Sequence, residues 1–394
     1  MSFHKIINDP VYGFISIDDE LINDIIAHPF FQRLRRIKQM AMAHLVYPGA
    51  VHTRLHHALG AYHLMRCALN ELVNKGVDIS VEEQQASKIA ILLHDIGHGP
   101  FSHALEHVLT KGMHHEEISI LIIKKLNEHF NGKLQMAIEI FTNTYHKKFL
   151  HQLVSGQLDV DRMDYLTRDS FFSGVNEGVI AYDRILKMLT VFNGELMVEE
   201  KGIYSIEKFL LARRLMFLQV YLHKTVLSSE QMLKRIIGRA RLVEAQCYGP
   251  LNNFINNKNF ENLTLEMFCN IDDTDVMMAI KKWMSHPDKV LSVLCNGLIN
   301  RNLFKVKYTS VAVDDSEIIE NRYRIKQKLN LSDEETEWLV FSGEATSSTY
   351  NFEYEPIHIL FKDNSIKEIS EVDNALINEN LKGKIKKYYI CYLR

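Results

Sequence analysis

Little cysteine, no long apolar run and almost no excess charge narrow what this chain of 394 residues can be. The five cysteines, Cys67, Cys247, Cys269, Cys295 and Cys391, are scattered with no C-x-x-C pair. Neither a disulfide framework nor a cysteine metal site is therefore expected, and they read as reduced, mostly buried thiols. The opening residues, MSFHKIINDP, lack an apolar stretch behind a basic start, and nowhere do about 18 apolar residues run together. A secretory leader and a helical membrane span are thus not expected, which sets the expectation of a cytoplasmic protein with no membrane partner. Charged residues make up 24% of the chain and nearly cancel to a formal −3. No global basic field argues for nucleic acid, although a local patch leaves that partner open. Low-complexity linkers and internal repeats are missing as well.

What is present is a hydrophobic content of 46%, enough for a substantial core and for two or three domains. From Asp18 to Asn300 apolar residues recur at helical spacing, punctuated by Gly, Pro or Asn, so this part is predicted to be mostly α. Glu82–Ile96 reads as a helix running into Gly97-His98-Gly99-Pro100, after which Pro100 opens a second helix carrying His103 and His107. The run from Leu196 to Ile203 has two β-prone pieces around a turn and suggests a small hairpin. Beyond Arg301 the texture changes, with β-prone runs at Lys305–Val313, Trp338–Phe341 and Ile357–Phe361 between charged helical stretches. The expected architecture is a helical domain over residues 1–300 and a smaller C-terminal α/β subdomain over residues 301–394.

Histidine is unevenly placed: eleven of the 19 lie between His44 and His115, interleaved with apolar helical positions. A single such histidine is ordinarily a core or surface residue, but this concentration is not single. His94-Asp95 follows the apolar run Ile89–Leu93, which puts an ionisable pair at the end of a buried helix, where an uncompensated carboxylate is costly. A cation removes that cost. Two imidazoles and two carboxylates, His57, His94, Asp95 and Asp161, would make a mixed N/O site suited to Fe, Mn, Ni, Co or Zn, with positions left for water and a phosphate oxygen. On the predicted helix near Asp159, Asp161, Tyr165 and Asp169 fall at i, i+4 and i+8, along one face. Arg213, Tyr221 and Lys224 are read as a basic and aromatic stripe on a second helix.

Four spaced segments carry a family resemblance: His52-Thr-Arg-Leu-His-His57, His94-Asp-Ile-Gly-His-Gly-Pro-Phe-Ser-His103, His115-Glu, and Asp159-Val-Asp-Arg-Met-Asp-Tyr-Leu-Thr-Arg-Asp169. The sequence resembles the HD-superfamily deoxynucleoside triphosphate triphosphohydrolases, the vertebrate SAM- and HD-domain enzymes and their bacterial relatives. The likeness begins at Lys5-Ile-Ile-Asn-Asp-Pro10, continues through Phe31-Gln-Arg-Leu-Arg35 and Tyr47-Pro-Gly-Ala50, and runs to about Lys224. It implies an HD-domain helical fold and a metal held by His57, His94, Asp95 and Asp161. Catalytic roles are implied for His115, His98 and Glu106, with His115 a general acid and Glu106 orienting a histidine. Arg54, His103, Arg162, Tyr165 and Arg213 would meet phosphates; Gln39 and Asp169 the sugar 3′-hydroxyl, with Met40 beside it; and Tyr221 would crowd the 2′ position.

Lys5, Asn8, Gln32 and Arg35 match positions that contact an activating nucleotide in the family, so a nucleotide effector and a homo-oligomer are among the implied partners, as is Mg on the substrate phosphates. The departures bear on specificity. Phe217 stands where relatives have histidine and Met40 where they have leucine. Ala27 replaces the acidic residue that recognises guanine at the effector site, and Ser205 and Gln219 replace further contacts there. The expected reaction is hydrolysis of dNTPs to deoxynucleoside and triphosphate. An HD phosphoesterase acting on another nucleotide or phosphate monoester is the alternative, and an inactive nucleotide-binding protein a third reading.

Overall fold

A computed structural model describes residues 3–110, 112–257, 263–347, 356–372 and 385–394. Strands β1 (Lys5–Asp9) and β2 (Gly13–Ile17) open the chain as an antiparallel hairpin, paired from Lys5↔Ile17 to Asp9↔Gly13. Asp9 sets the turn: its Oδ1 accepts from the backbone N–H of Val11 at 2.9 Å and of Tyr12 at 3.0 Å, an aspartate-closed turn. The helical reading, which starts at Asp18, passes over this hairpin.

The helical body that follows is built on α1 (Arg54–Asn74), α2 (Val81–Leu93), α3 (His115–His129), α4 (Val160–Ser173), α5 (Ile203–Met216), α6 (Lys224–Leu242) and α7 (Asp273–Trp283). Local chemistry starts these helices. Ser80 and Glu83 cap α2 reciprocally, Glu83 N–H to Ser80 Oγ at 3.2 Å and Ser80 N–H to Glu83 Oε2 at 2.8 Å, the capping-box arrangement. Asp159 caps α4 by accepting from Arg162 N–H at 2.7 Å, and Gly174 at φ +73° ends it in the left-handed region that glycine tolerates. Helices α1, α2 and α4 pack together around a core that extends from Ile15 to Cys391.

Two local predictions are corrected. Helix α2 stops at Leu93, and His94–Gly97 form a turn closed by Ile96 N–H to Leu93 C=O at 3.1 Å and His98 N–H to Asp95 C=O at 3.2 Å. Pro100 does not open a helix. Phe101 and Ser102 sit at φ +54° and +50°, and His103 and His107 fall instead in a single 3-10 turn, Ser102–Ala104, and a short α-helix, Glu106–Leu109. The buried Phe101 donates its N–H to Asp273 Oδ1 at 2.7 Å, a tertiary bond that outweighs local helical preference.

The hairpin expected at Leu196–Ile203 is displaced. Strand β4 (Glu195–Glu199) pairs with the preceding β3 (Leu189–Phe192). The turn is Asn193-Gly194, at φ +53° and +80°, the asparagine-glycine pair that a tight hairpin favours. Past residue 301 the β-prone runs become β5 (Lys305–Thr309), β6 (Val340–Ser347) and β7 (His358–Leu360), joined by β8 (Ile366–Glu368) and β9 (Ile385–Tyr392). Strand β9 lies between β5 and β6, antiparallel to both. Strand β7 pairs parallel with β4, Val198 opposite Ile359, so the sheet β3-β4-β7-β8 takes two strands from either side of residue 301.

Candidate metal centre and adjoining pocket

The ends of three helices bring four candidate ligand side chains together. His57 stands in the first turns of α1, His94 and Asp95 follow the last residue of α2, and Asp161 occupies the first turn of α4. His57 Nε2 lies 3.0 Å from Asp161 Oδ1 and 3.4 Å from His94 Nε2, while His94 Nε2 lies 3.4 Å from Asp161 Oδ1. Asp95 closes the group, its Oδ1 3.5 Å from His94 Nε2 and its Oδ2 3.7 Å from His57 Nε2. Ligands about 2.1 Å from one cation sit roughly 3.0–3.4 Å apart in octahedral or tetrahedral geometry. His57, His94 and Asp161 therefore fit a divalent transition metal, with Asp95 just outside that spacing.

Surrounding residues aim these ligands. His57 Nδ1 donates to Asp164 Oδ2 at 2.7 Å, and His94 Nδ1 to the Ile91 carbonyl at 2.6 Å, which leaves both Nε2 lone pairs turned to the centre, as metal-binding histidines require. Asp164 is itself held by Arg168, whose Nε is 3.0 Å from Asp164 Oδ2 and whose Nη1 is 2.8 Å from Asp9 Oδ2. A buried relay thus runs from the turn of the β1–β2 hairpin to the His57 imidazole. Gly60 makes room for it: a Cβ there would lie 2.0 Å from Asp164 Oδ1 and 2.1 Å from Arg168 Nη2.

The electrostatics favour positive charge at this point. Burial acts to lower the pKa of His57, yet its hydrogen bonds to Asp161 and Asp164 raise it to about 10. Burial acts to raise Asp161, but His94 and His57 hold it below the usual carboxylate range.

Beside the centre, the His98 and His115 rings stack with centroids 3.9 Å apart and planes 18° from parallel. His115 Nδ1 bonds Glu106 Oε1 at 2.9 Å, and the same oxygen accepts the His115 backbone N–H at 2.8 Å. This approach needs Gly97, where a Cβ would meet the His115 carbonyl at 2.2 Å. Asp95, His98 and His115 form a second group whose ligand atoms fall within 4.8 Å of one another. The His103 side chain lies outside the described residues.

A pocket of about 460 Å³ opens next to the centre, and Arg54 is common to both. The Arg54 guanidinium bonds Asp95 and gives its Nε to Ser102 Oγ at 2.7 Å. Gln39, Met40, Tyr165, Asp169, Arg213 and Tyr221 line the pocket, as do Phe217, Val226 and Glu230. Tyr221 donates to Asp169 Oδ2 at 2.7 Å, and His52 Nε2 is 2.8 Å from Asp169 Oδ1. Arg213 reaches Gln157 Oε1 at 3.1 Å. The buried Gln39 Oε1 has no hydrogen-bond partner among the described residues. Arg162 is turned to its own cap, Asp159, and is not among the lining residues.

The stripe read from Arg213 to Lys224 is corrected. Helix α5 ends at Met216, a π turn spans Phe217–Tyr221, and Lys224 begins α6, exposed and facing the Tyr308 ring. Eight residues of regular α-helix leave side chains about 80° apart; the wider π turn advances fewer degrees per residue, and Arg213 and Tyr221 line the same pocket.

Of the residues matched to an effector site, Lys5 and Asn8 lie exposed on β1, Lys5 Nζ 3.3 Å from Asn23 Oδ1. Gln32 and Arg35 bond each other at 2.7 Å. Among the described residues no hydrogen bond joins the two pairs. Sequence reasoning missed Asp9, Asp164, Arg168, His52 and Glu230. Asp164 and Arg168 carried a readable signal, an acid and a base one turn apart on the same face of α4 as the buried Val160.

A helical body whose α1, α2 and α4 termini converge on two histidines and two aspartates is the arrangement of an HD-domain protein. Residues 54–169 match the HD domain, and residues 180–336 match the HD associated region. The chain is 31% identical to the uncharacterized protein YwfO of Bacillus subtilis across 98% of this chain and 90% of that one, and it belongs to the HD family. A crystal structure of a phosphohydrolase from Bacteroides thetaiotaomicron is similar over the full length of both chains, with 46% identity and a TM-score of 0.94. Human deoxynucleoside triphosphate triphosphohydrolase SAMHD1 is 30% identical over 56% of this chain and 42% of its own. No helix among the described residues is long and apolar enough to cross a membrane.

Proposed function

We propose that this protein is a metal-dependent phosphohydrolase that converts dNTPs to deoxynucleoside and triphosphate. The observation that carries the reading is the shared Arg54: one guanidinium borders both the candidate metal cluster and a pocket whose Tyr221–Asp169 pair can face a sugar. The similarity to SAMHD1 and to a solved phosphohydrolase supports the same class.

His57, His94, Asp95 and Asp161 would hold the metal, which when bound supplies Lewis acidity to a phosphoryl oxygen and to water. Arg54 and Arg213 offer donors to phosphate oxygens in fork geometry. His115, oriented through its Nδ1 bond to Glu106, would pass a proton to the departing oxygen. Asp169 accepts from a 3′-hydroxyl, and the Tyr221 ring closes the space a 2′-hydroxyl would need.

Incubating metal-loaded protein with the four dNTPs and four NTPs, and separating the products, tests this. Inorganic triphosphate from dNTPs is expected, with NTPs much poorer substrates. Tyr221→Ala should narrow that preference, mainly by weakening dNTP turnover. Equal kcat/KM for dATP and ATP, or release of monophosphate alone, would favour an HD phosphoesterase acting on another phosphate ester.

A further inference from the structure

Part of the pocket lining has a chemistry that the proposed phosphate and sugar contacts leave unused. Val226 and Glu230 stand one turn apart on α6 and line the pocket together with Met40, Ala41, Ala43 and Phe217. That helix packs against the turns at Ala43–Leu45 and Ser102–Ala104, which sets its first turns beside these walls. All of these neighbours except Glu230 are apolar. Among the described residues no group hydrogen-bonds the Glu230 carboxylate. Burial pushes its pKa up to about 7, with Lys234, one turn further along α6, acting against this.

A ligand that spans this pocket needs cationic contacts at one end, flat apolar faces at the other, and an edge of hydrogen-bond donors that meets one carboxylate. We infer that Glu230 reads the nucleobase and selects guanine. This rests on the proposed triphosphohydrolase reading for the direction in which the nucleotide lies. The guanine edge presents N1–H and the 2-amino group side by side, two donors matched to the two oxygens of a carboxylate. Adenine and cytosine place one donor beside a ring-nitrogen acceptor. Thymine presents one N–H between two carbonyls, which repel a carboxylate.

The test compares dGTP, dITP, dATP, dCTP and dTTP on the wild-type protein and on Glu230→Gln and Glu230→Ala. It measures kcat/KM by triphosphate release and, separately, equilibrium binding to the metal-free protein by calorimetry, with melting temperatures to establish folding. Wild type should favour dGTP over dTTP by at least ~10-fold, the scale of hydrogen bonds to a charged group. It should also favour dGTP over dITP, which lacks only the 2-amino group. Glu230→Gln should remove most of the dGTP:dTTP ratio while the protein melts normally. A wild type indifferent to dGTP against dITP overturns the inference without any variant, and so does a variant that depresses all five nucleotides alike. If triphosphate forms equally from every dNTP, the reaction stands and base reading fails. If none is hydrolysed yet guanine nucleotides bind in a Glu230-dependent way, base reading stands and the reaction fails.

Discussion

His115 groups with Asp95 while Asp164 bonds His57, and their substitution separates proton transfer from metal retention. His115 is outside the His57, His94 and Asp161 group, and its Nδ1 is committed to Glu106. His115→Ala is expected to keep its metal content and to lose roughly 100-fold in kcat, the usual scale of a general acid; an unchanged kcat would reduce this residue to packing. Asp164→Asn acts through His57. The amide accepts the His57 Nδ1 proton more weakly, so metal affinity should fall roughly 10- to 100-fold, read by competition with a chromogenic chelator. An affinity equal to wild type would mean that packing alone orients the His57 ring. Neither experiment depends on which phosphate ester is the substrate.

Between elements, the contact of α1 with α4 is the one that sets the centre, and it is tight because Gly60 lacks a side chain. Gly60→Ala puts a methyl group where Asp164 and Arg168 now stand. Overpacking of this kind costs about 1–3 kcal/mol, so the melting temperature should drop. Metal affinity should drop with it, since the displaced groups hold His57. A variant that melts as wild type and binds metal normally would show that α1 and α4 can separate without disturbing the ligands. The turns at Phe101–Ser102 and Phe217–Tyr221 belong to the same scale. The first lies past the end of α2 and the second is the π turn between α5 and α6, and both border the pocket.

Across the whole molecule, the strands beyond residue 301 complete the core of the helical body. Val198 on β4 is covered by the pairing with Ile359 on β7. Met232 on α6, fully buried, accepts from Phe304 N–H at 3.5 Å, and the Arg235 guanidinium lies 3.6 Å from the Phe341 ring centre. A fragment of residues 1–300 would uncover Val198 and Met232. At about 1.5–3 kcal/mol for each side chain, that is a large part of the 5–15 kcal/mol typical of a whole protein. The fragment is expected to unfold at lower denaturant or to bind a hydrophobic dye, and one that unfolds as sharply as the full chain would show two independent folding units.

The sequence by itself determined the helical character of the body, the β-prone runs after residue 301 and the local His94-Asp95 pair. Each of these is written in nearest-neighbour terms: apolar spacing, capping pairs such as Ser80 and Glu83, and a His-Asp pair behind an apolar run. Even the β3–β4 turn was locally legible in Asn193-Gly194, a signal passed over in favour of the β-prone residues after it. Only the tertiary structure decided how far the ligands stand apart, that Asp9 and Arg168 reach His57 through Asp164, that Arg54 borders both centre and pocket, and that β7 joins β4. Those contacts link residues up to about 160 positions apart, and side chains so distant in the chain meet only once the helices have packed, so no local pattern encodes them.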